Sequence, residues 1–256
     1  TIVLHTANHE NDNFSHTTPI YATSTFTFSS ADEGMARFKG DDKTRLYTRW
    51  GNPTFNVAEK TIEALEARGL TNESGAPLEV KALLHSSGQA AISTLFFSNL
   101  SAGDCLISHY SLYGGSQELM QKVLNEAGVK IILIDIHNED LLLETIKGNP
   151  TTKLIHLETP ANPTLQCVDI EAVCKIARAH GIKVSVDNTV ATPYLQQPFA
   201  LGADYVFHSA TKFLNGHGSA LNGVLVGKDL EFMNTKVWKW HALLGGNSNA
   251  FDAYLL

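Results

Sequence analysis

VKALLHSSGQAAISTLFFSNLSAGDCLISHY, residues 80–110, is the stretch that decides the fold. Its two apolar runs, residues 80–85 and 105–110, predict strands, and residues 90–100 between them predict a helix. A strand, a helix and a second strand in this order are typical of a βαβ unit, whose strands belong to a parallel sheet. The stretch therefore predicts an α/β protein.

The same alternation continues towards the C-terminus. Four further apolar runs predict strands at residues 129–135, 153–158, 183–188 and 204–209. Helices are predicted at residues 117–128, which end at a plausible C-cap, Gly128, and at residues 139–147, 169–180 and 249–256. We expect a mostly parallel, doubly wound sheet, because right-handed crossovers bring the carboxyl ends of its strands to one edge, where α/β proteins bind ligands.

The first 60 residues have a different pattern. Residues 14–30 are rich in Thr and Ser and contain a proline, which is typical of an extended arm. The arm carries aromatic residues that suggest contact with another surface, such as that of a neighbouring subunit: Phe14, Tyr21, Phe26 and Phe28. We therefore expect an arm at residues 1–60 and an α/β domain at residues 61–256. Residues 67–79 predict a loop, and the apolar end of the chain leads us to expect an incomplete chain.

Composition, charge and residue spacing argue against several kinds of partner and site. The 256 residues are 43% hydrophobic with a net charge of −7, which argues against a nucleic-acid partner. No apolar run is long enough to span a bilayer and the N-terminus does not resemble a signal peptide, so we expect a cytoplasmic protein without a membrane partner. The widely spaced Cys105, Cys167 and Cys174 predict free thiols. His5 and His9 have the spacing of a metal pair but lack supporting carboxylates, so no metal site is predicted.

A carboxylate and a lysine follow two of the predicted strands. Asp187 lies at the exit of the strand at residues 183–188, and Ser209, Thr211 and Lys212 lie at the exit of the next strand but one. Pyridoxal 5′-phosphate (PLP) needs an anion opposite its pyridinium nitrogen and an amine for its aldehyde. Asp187 and Lys212 would meet these two needs. For Lys212 taken alone, the alternative is a solvated surface residue.

A phosphate site completes this prediction. Ser87, Gly88 and Gln89 lie between a strand and a helix start, where free N–H groups and the helix dipole favour an anion. An N-cap serine with a turn glycine explains the same residues equally well. The hydroxyl groups of Ser209 and Thr211 would add donors to the phosphate. Tyr113, just past another strand, would stack on the pyridine ring; the alternative is an exposed loop tyrosine.

Six motifs together resemble one family. They are LYTRWGNPT (46–54), SSGQAAI (86–92), LYGG (112–115), ETPANPT (158–164), DNTVATP (187–193) and HSATKFLNGHG (208–218). Along essentially the whole chain, the sequence resembles the PLP enzymes of Cys/Met metabolism, which include cystathionine γ-synthase, cystathionine γ-lyase, methionine γ-lyase and the homoserine-ester sulfhydrylases. The resemblance implies fold type I, with a mostly parallel seven-stranded sheet, helices on both faces, and a further C-terminal substrate domain that we expect to be missing from this chain or only begun at its end.

The resemblance also implies roles for single residues. Lys212 would be the Schiff-base lysine, Asp187 the partner of the pyridinium, and Asn162 a neighbour of the phenolic oxygen. Backbone groups of Gly88 and Gln89 would bind the phosphate, helped by Ser209 and Thr211, and Tyr113 would be the stacking ring and a candidate base. Tyr47 and Arg49 would reach the phosphate from the adjacent subunit, which implies a homodimer or homotetramer; a surface arginine in a loop is the alternative.

The expected activity is PLP-dependent γ-replacement on an activated homoserine ester, with a small amino acid as substrate. The alternative is γ-elimination. The resemblance places Gly115 where methionine γ-lyases carry a reactive cysteine, and residues 241–243 (HAL) where they carry a Lys-Asp pair. Both departures favour replacement.

The sequence lacks the motifs of two other enzyme classes. A nicotinamide oxidoreductase needs GxGxxG after the first strand, where this chain has SSGQAA, and a serine hydrolase needs GxSxG, which is absent. A catalytically inactive scaffold with the same fold remains the non-enzyme alternative. The intact set of cofactor-side residues argues against it.

Overall fold

The computed structural model describes residues 1–7, 15–40 and 43–256. Seven strands form one sheet. In chain order they are β1 (Lys81–His85), β2 (Cys105–His109), β3 (Lys130–Ile134), β4 (Thr152–Glu158), β5 (Lys183–Asp187), β6 (Tyr205–His208) and β7 (Gly223–Gly227). Their order across the sheet is β1-β7-β6-β5-β4-β2-β3. Only β7 runs antiparallel to its neighbours, so the mostly parallel sheet is confirmed.

Helices connect the strands. They are α1 (Ile2–His5), α2 (Ala31–Lys39), α3 (Pro53–Glu66), α4 (Gly88–Asn99), α5 (Gly114–Glu118), α6 (Glu139–Gly148), α7 (Ile170–Ala179), α8 (Thr192–Leu195), α9 (Leu230–Phe232), α10 (Trp238–Leu244) and α11 (Ala250–Leu255). Shorter helical segments are a 3₁₀ turn at Lys43–Arg45 and π-helical segments at Leu119–Leu124 and Met233–Val237. The helix that begins with α5 ends as predicted before Gly128, whose φ of +85° is the left-handed value that favours glycine.

Side chains of the strands alternate between two buried layers. One layer packs under α4 and the two π-helical segments and includes Leu83, Leu106, Leu154, Phe207 and Leu225. The opposite layer packs against α3, α6, α7 and α11 and includes Leu84, Ile107, Ile155, Val184 and Val224. Strands that are buried on both faces need apolar residues at successive positions, which is why they read as continuous apolar runs. Helices on both faces are confirmed.

Two details of the strand prediction need correction. The strand β6 directly follows β5 in the chain and pairs with it, so describing it as the next strand but one was wrong. The strand β7 was absent from the six segments read from the sequence. Its five residues begin and end with glycine, which has a low strand propensity, so tertiary packing rather than local pattern makes it a strand. The loop at residues 67–79 is confirmed.

The N-terminal arm is extended between residues 15 and 30 but contains helices on either side. Its extended part contacts the start of α3, since Tyr21 N donates to Thr54 Oγ1 (3.0 Å) and Asn52 Nδ2 donates to Tyr21 O (2.9 Å). The helix α3 passes through residue 60 without a break and packs on β1, so the domain boundary expected there falls inside a helix. His9 and Phe14 lie outside the described residues.

Candidate active site

A cavity of about 920 Å³ opens at the carboxyl edge of the sheet. The ends of β1, β2, β4, β5 and β6 all contribute to its wall. Nine of the eleven predicted site residues line it: Ser87, Gly88, Gln89, Tyr113, Asn162, Asp187, Ser209, Thr211 and Lys212. The parallel strands thus bring together residues that are far apart along the chain, from Ser87 to Lys212.

The start of α4 is built to face an anion. Ser87 is the N-cap and its hydroxyl accepts from Ala90 N (3.1 Å), so the N-cap reading is confirmed. Within the described residues, no acceptor pairs with the backbone N–H groups of Gly88 and Gln89. A Cβ on Gly88 would lie 2.9 Å from Ser209 Cβ, so glycine allows the Ser209 side chain to approach the helix start. Two free N–H groups and a hydroxyl therefore meet at the positive end of a twelve-residue helix.

Asp187 ends β5 and is almost completely buried, at 7% exposure. Its Oδ1 accepts from the backbone N–H of Thr189 (3.0 Å) and from the Thr189 hydroxyl (2.5 Å). Burial raises the pKa of Asp187, while the Thr189 hydrogen bonds and the nearby His208 lower it. Both Thr189 bonds go to Oδ1, so Oδ2 is available to a group in the cavity.

Lys212 lies in the first turn after β6, and its side chain is exposed to the cavity. Lys212 N donates to Ser209 O (3.1 Å), which fixes this turn. Thr211 also lines the cavity, and its hydroxyl donates to Asn222 O (2.9 Å) and accepts from Asn222 N (3.1 Å). These bonds anchor the lysine loop to the segment before β7.

Glu158 is a site residue that the sequence analysis did not single out. It ends β4, lines the cavity and is 3% exposed. Its Oε2 accepts from Tyr113 N (2.6 Å) and its Oε1 accepts from Asn162 N (2.7 Å). Burial and then the charge of Asp187 raise the pKa of Glu158 to about 7. One carboxyl group thus joins the two loops that carry Tyr113 and Asn162.

A second buried pair lies behind the site. His208 Nε2, at the end of β6, contacts Glu66 Oε1 of α3, and neither side chain is exposed. The other polar atoms of the pair, His208 Nδ1 and Glu66 Oε2, have no hydrogen-bond partner among the residues that the structure describes. This pair fixes the strand end that precedes Ser209 and Lys212.

Tyr47 and Arg49 do not line the cavity of their own chain. Arg49 Nη1 donates to Ala242 O (2.6 Å), and its guanidinium carbon lies 5.3 Å from the centre of the Tyr47 ring. The Tyr47 side chain is 40% exposed. The structure therefore leaves these two residues at a separate surface.

A family model described as "Cys/Met metabolism PLP-dependent enzyme" matches residues 1–256. The chain belongs to this PLP-dependent family. The L-methionine gamma-lyase of Porphyromonas gingivalis is 42% identical to it over 93% of this chain and 57% of the relative. The cystathionine gamma-synthase of Escherichia coli is 36% identical over 93% of this chain and 56% of the relative.

Solved structures confirm fold type I. A Campylobacter jejuni structure assigned as O-acetylhomoserine (thiol)-lyase, which contains N′-pyridoxyl-lysine-5′-monophosphate, matches with a TM-score of 0.89 at 29% identity. The match covers 99% of this chain and 67% of that chain. The chain spans somewhat more than half the length of the curated relatives it matches. None of the described helices combines the length and the apolar character that crossing a bilayer requires.

The cavity fits the cofactor of this family. The unpaired N–H groups of Gly88 and Gln89 suit a phosphate, and the buried carboxyl group of Asp187 suits a ring nitrogen. Lys212 places an amine in the same cavity. These are the three chemical groups that PLP requires of a protein.

Proposed function

We propose that the whole protein that contains this chain is a PLP-dependent enzyme acting at Cγ of a sulfur amino acid or an activated homoserine ester. The supporting observation is the convergence, in one cavity, of the Lys212 amine, the Asp187 carboxyl group and the unpaired N–H groups of Gly88 and Gln89. An inactive scaffold would have no physical need for this combination.

Each residue has a defined task in this proposal. Bound PLP supplies an electron sink that stabilises negative charge at the substrate Cα. The N–H groups at the start of α4 and the Ser209 hydroxyl hold the phosphate, and Asp187 holds a proton-bearing ring nitrogen opposite its free Oδ2. Lys212 would take a proton from Cα and assist removal of one from Cβ, so that the leaving group can depart from Cγ, and would return protons to Cβ and Cα after the nucleophile has added at Cγ. Tyr113, 49% exposed, offers its phenol as a base towards the incoming amine.

We propose γ-replacement on a homoserine ester as the reaction. Gly115 and the HAL segment at residues 241–243 support it, because the resemblance places a cysteine and a Lys-Asp pair there in methionine γ-lyases. The structure adds a packing reason: a Cβ on Gly115 would lie 2.6 Å from Tyr113 Cε1 and 2.8 Å from Gln89 Nε2. Any side chain here would displace the Tyr113 ring.

γ-Elimination is the second candidate. The observation that favours it is the 42% identity to the L-methionine gamma-lyase of Porphyromonas gingivalis, which exceeds the 36% identity to the cystathionine gamma-synthase of Escherichia coli. The two reactions share Lys212 and Asp187 and differ in whether an external nucleophile captures Cγ.

The experiment begins with the visible spectrum of the whole protein. We expect a cofactor absorption band that borohydride removes, with the reduced cofactor mass on the peptide that contains Lys212. Lys212→Ala should lose this band. Lys228→Ala is the matched control, since Lys228 pairs with Asp204 (3.6 Å) away from the cavity and its variant should keep the band. Absence of a band from the wild-type protein with added PLP would refute the proposal.

The second step separates the two reactions. The protein is incubated with O-acyl-L-homoserine, with and without cysteine, and separately with methionine. A thioether product that requires cysteine supports replacement. A 2-oxo acid formed from methionine at a comparable rate would overturn replacement in favour of elimination.

A further inference from the structure

Three possible metal ligands meet at the edge of the sheet, outside the active-site cavity. His109 is the last residue of β2, and Asp135 and His137 follow β3, the strand that pairs with it. One ligand atom from each lies within 4.8 Å of the other two. The parallel register His109↔Ile134 produces this meeting, because it places the end of β2 beside the residues that follow β3.

His137 has an oxygen opposite each ring nitrogen. Its Nδ1 lies 2.9 Å from Asp135 Oδ1, and its Nε2 lies 3.0 Å from Cys167 O. A neutral imidazole has one N–H, so only one of these oxygens can accept a proton from it. The other contact brings two lone pairs together unless a positive charge lies between them. A second proton or a metal ion would supply this charge.

His109 has a similar arrangement. Its Nε2 lies 3.2 Å from Gln166 Oε1, which suits a donor, and its Nδ1 lies 4.0 Å from Asp135 Oδ1. The same Nδ1 accepts from Ile136 N (3.2 Å) and lies 3.2 Å from Ile134 O. A cation between His109 Nδ1 and Asp135 would bind the lone pair of Nδ1. It would replace the long hydrogen bond that this lone pair accepts from Ile136 N. His109 is buried, whereas Asp135 and His137 are 48% and 41% exposed in their side chains.

We propose that His109, Asp135 and His137 bind a divalent transition-metal ion, with Zn²⁺ as the probe. Two imidazoles and one carboxylate are a common ligand set for such ions. Metal-bound histidines usually donate their second ring N–H to an oxygen, and Gln166 Oε1 and Cys167 O provide these acceptors. The half-exposed Asp135 and His137 leave the remaining coordination positions to water.

The site would brace a loop of the active-site cavity. Gln166 and Cys167 belong to the loop between β4 and α7, which lines the cavity through Asn162, Pro163 and Leu165. A metal ion on the two histidines would fix their rings and, through the rings, the far side of this loop. The proposal concerns metal binding itself and does not depend on the proposed reaction.

The test is Zn²⁺ binding to the PLP-loaded whole protein, measured by isothermal titration calorimetry at neutral pH. We expect one equivalent per chain that is lost, or weakened at least about tenfold, in His137→Ala and in Asp135→Asn. His180→Ala is the matched control, because His180 is an exposed histidine at the end of α7 whose ring Nδ1 lies 2.9 Å from Ile176 O, away from the proposed ligands. Zinc bound by other groups, including the cofactor phosphate, should be the same in all four proteins.

Far-ultraviolet circular dichroism checks that each variant is folded; both substituted side chains are half exposed, so we expect native spectra. The proposal is overturned if the wild type takes up no more Zn²⁺ than His137→Ala. It is also overturned if His180→Ala loses the same equivalent.

Discussion

Glu158 and Asp187 are register partners at the carboxyl ends of adjacent strands, and both carboxyl groups are buried. Burial raises the pKa of each. The Thr189 hydroxyl and N–H both donate to Asp187, and burial together with the charge of Asp187 raises the pKa of its neighbour, Glu158, to about 7. The two neighbouring carboxyl groups thus differ in their surroundings: Asp187 accepts two hydrogen bonds from Thr189, and Glu158 is the group that titrates near neutral pH.

The first prediction concerns the pH dependence of stability without cofactor. The pKa of Glu158 is higher in the folded protein, about 7, than its ordinary value of 4.5. Folding therefore favours the protonated form, and the resulting stability is present below about pH 4.5 and is lost as the pH rises to about 7. Relative to Glu158→Gln, the wild-type free energy of unfolding should fall by up to about 3 kcal/mol across this interval.

Urea unfolding of the cofactor-free whole protein at several pH values measures this difference. Gln keeps one of the two acceptor contacts, to Tyr113 N or Asn162 N, so a constant loss of stability at all pH values is expected as well. Parallel pH profiles for the two proteins would show that Glu158 does not titrate near pH 7.

The second prediction concerns the anion opposite the ring nitrogen. Asp187→Asn keeps the shape of the side chain and removes its charge, so we expect kcat/KM of the whole enzyme to fall about 100-fold or more. Thr189→Ala leaves the charge and removes one hydrogen bond to Oδ1, so its effect should be much smaller. Steady-state kinetics with added PLP measure both. Equal effects of the two substitutions would mean that the orientation of the Asp187 side chain, and not its charge, determines the rate.

Much of this site follows from local sequence pattern. The strands β1, β2, β4, β5 and β6 are apolar runs, and polar residues follow them directly, so parallel pairing alone predicts that these residues converge. Ser87 also predicts the start of α4, which it caps. Nine of the eleven predicted residues line one cavity for this reason.

Other features depend on long-range packing. Glu158 is the last residue of an apolar run, and its task is visible only once Tyr113 N and Asn162 N converge on it. The engagement of the Thr211 hydroxyl depends on Asn222, eleven residues away. The cluster of His109, Asp135 and His137 requires the register of β2 against β3. No local periodicity encodes these contacts.

The third prediction tests the close approach of β7 to the anion-facing turn. A Cβ on Gly223 would lie 2.1 Å from Ser87 O and 2.8 Å from Gly88 N. Gly223→Ala must therefore displace the turn, and we expect a loss of stability of about 2 kcal/mol or more together with weaker PLP binding. Thermal unfolding and cofactor titration measure the two effects.

Gly148→Ala is the control for this substitution. A Cβ there meets nothing within 4 Å and Gly148 is the last residue of α6, so alanine should be neutral or slightly stabilising. Normal PLP binding by Gly223→Ala would show that the turn at Ser87 and Gly88 tolerates displacement.

The fourth prediction concerns the proposed sharing of sites between subunits. Tyr47 and Arg49 do not line the cavity of their own chain, so we expect them to serve the cavity of a partner. Arg49→Ala and Lys212→Ala should each be nearly inactive alone. Coexpressed as whole proteins, they form mixed oligomers in which some sites receive an intact Arg49 from one chain and an intact Lys212 from the other. About a quarter of the wild-type activity should return.

Asp187→Ala coexpressed with Lys212→Ala is the control for this mixing. Both residues line the cavity of the same chain, so every site built by this pair carries one of the two substitutions. Mixing should therefore restore no activity. Suppose that activity returns when Arg49→Ala is coexpressed with Lys212→Ala but not in the control. One active site must then contain residues from two chains. If neither pair recovers although mixed oligomers form, Arg49 acts within its own subunit, where it holds Ala242 O and the Tyr47 ring.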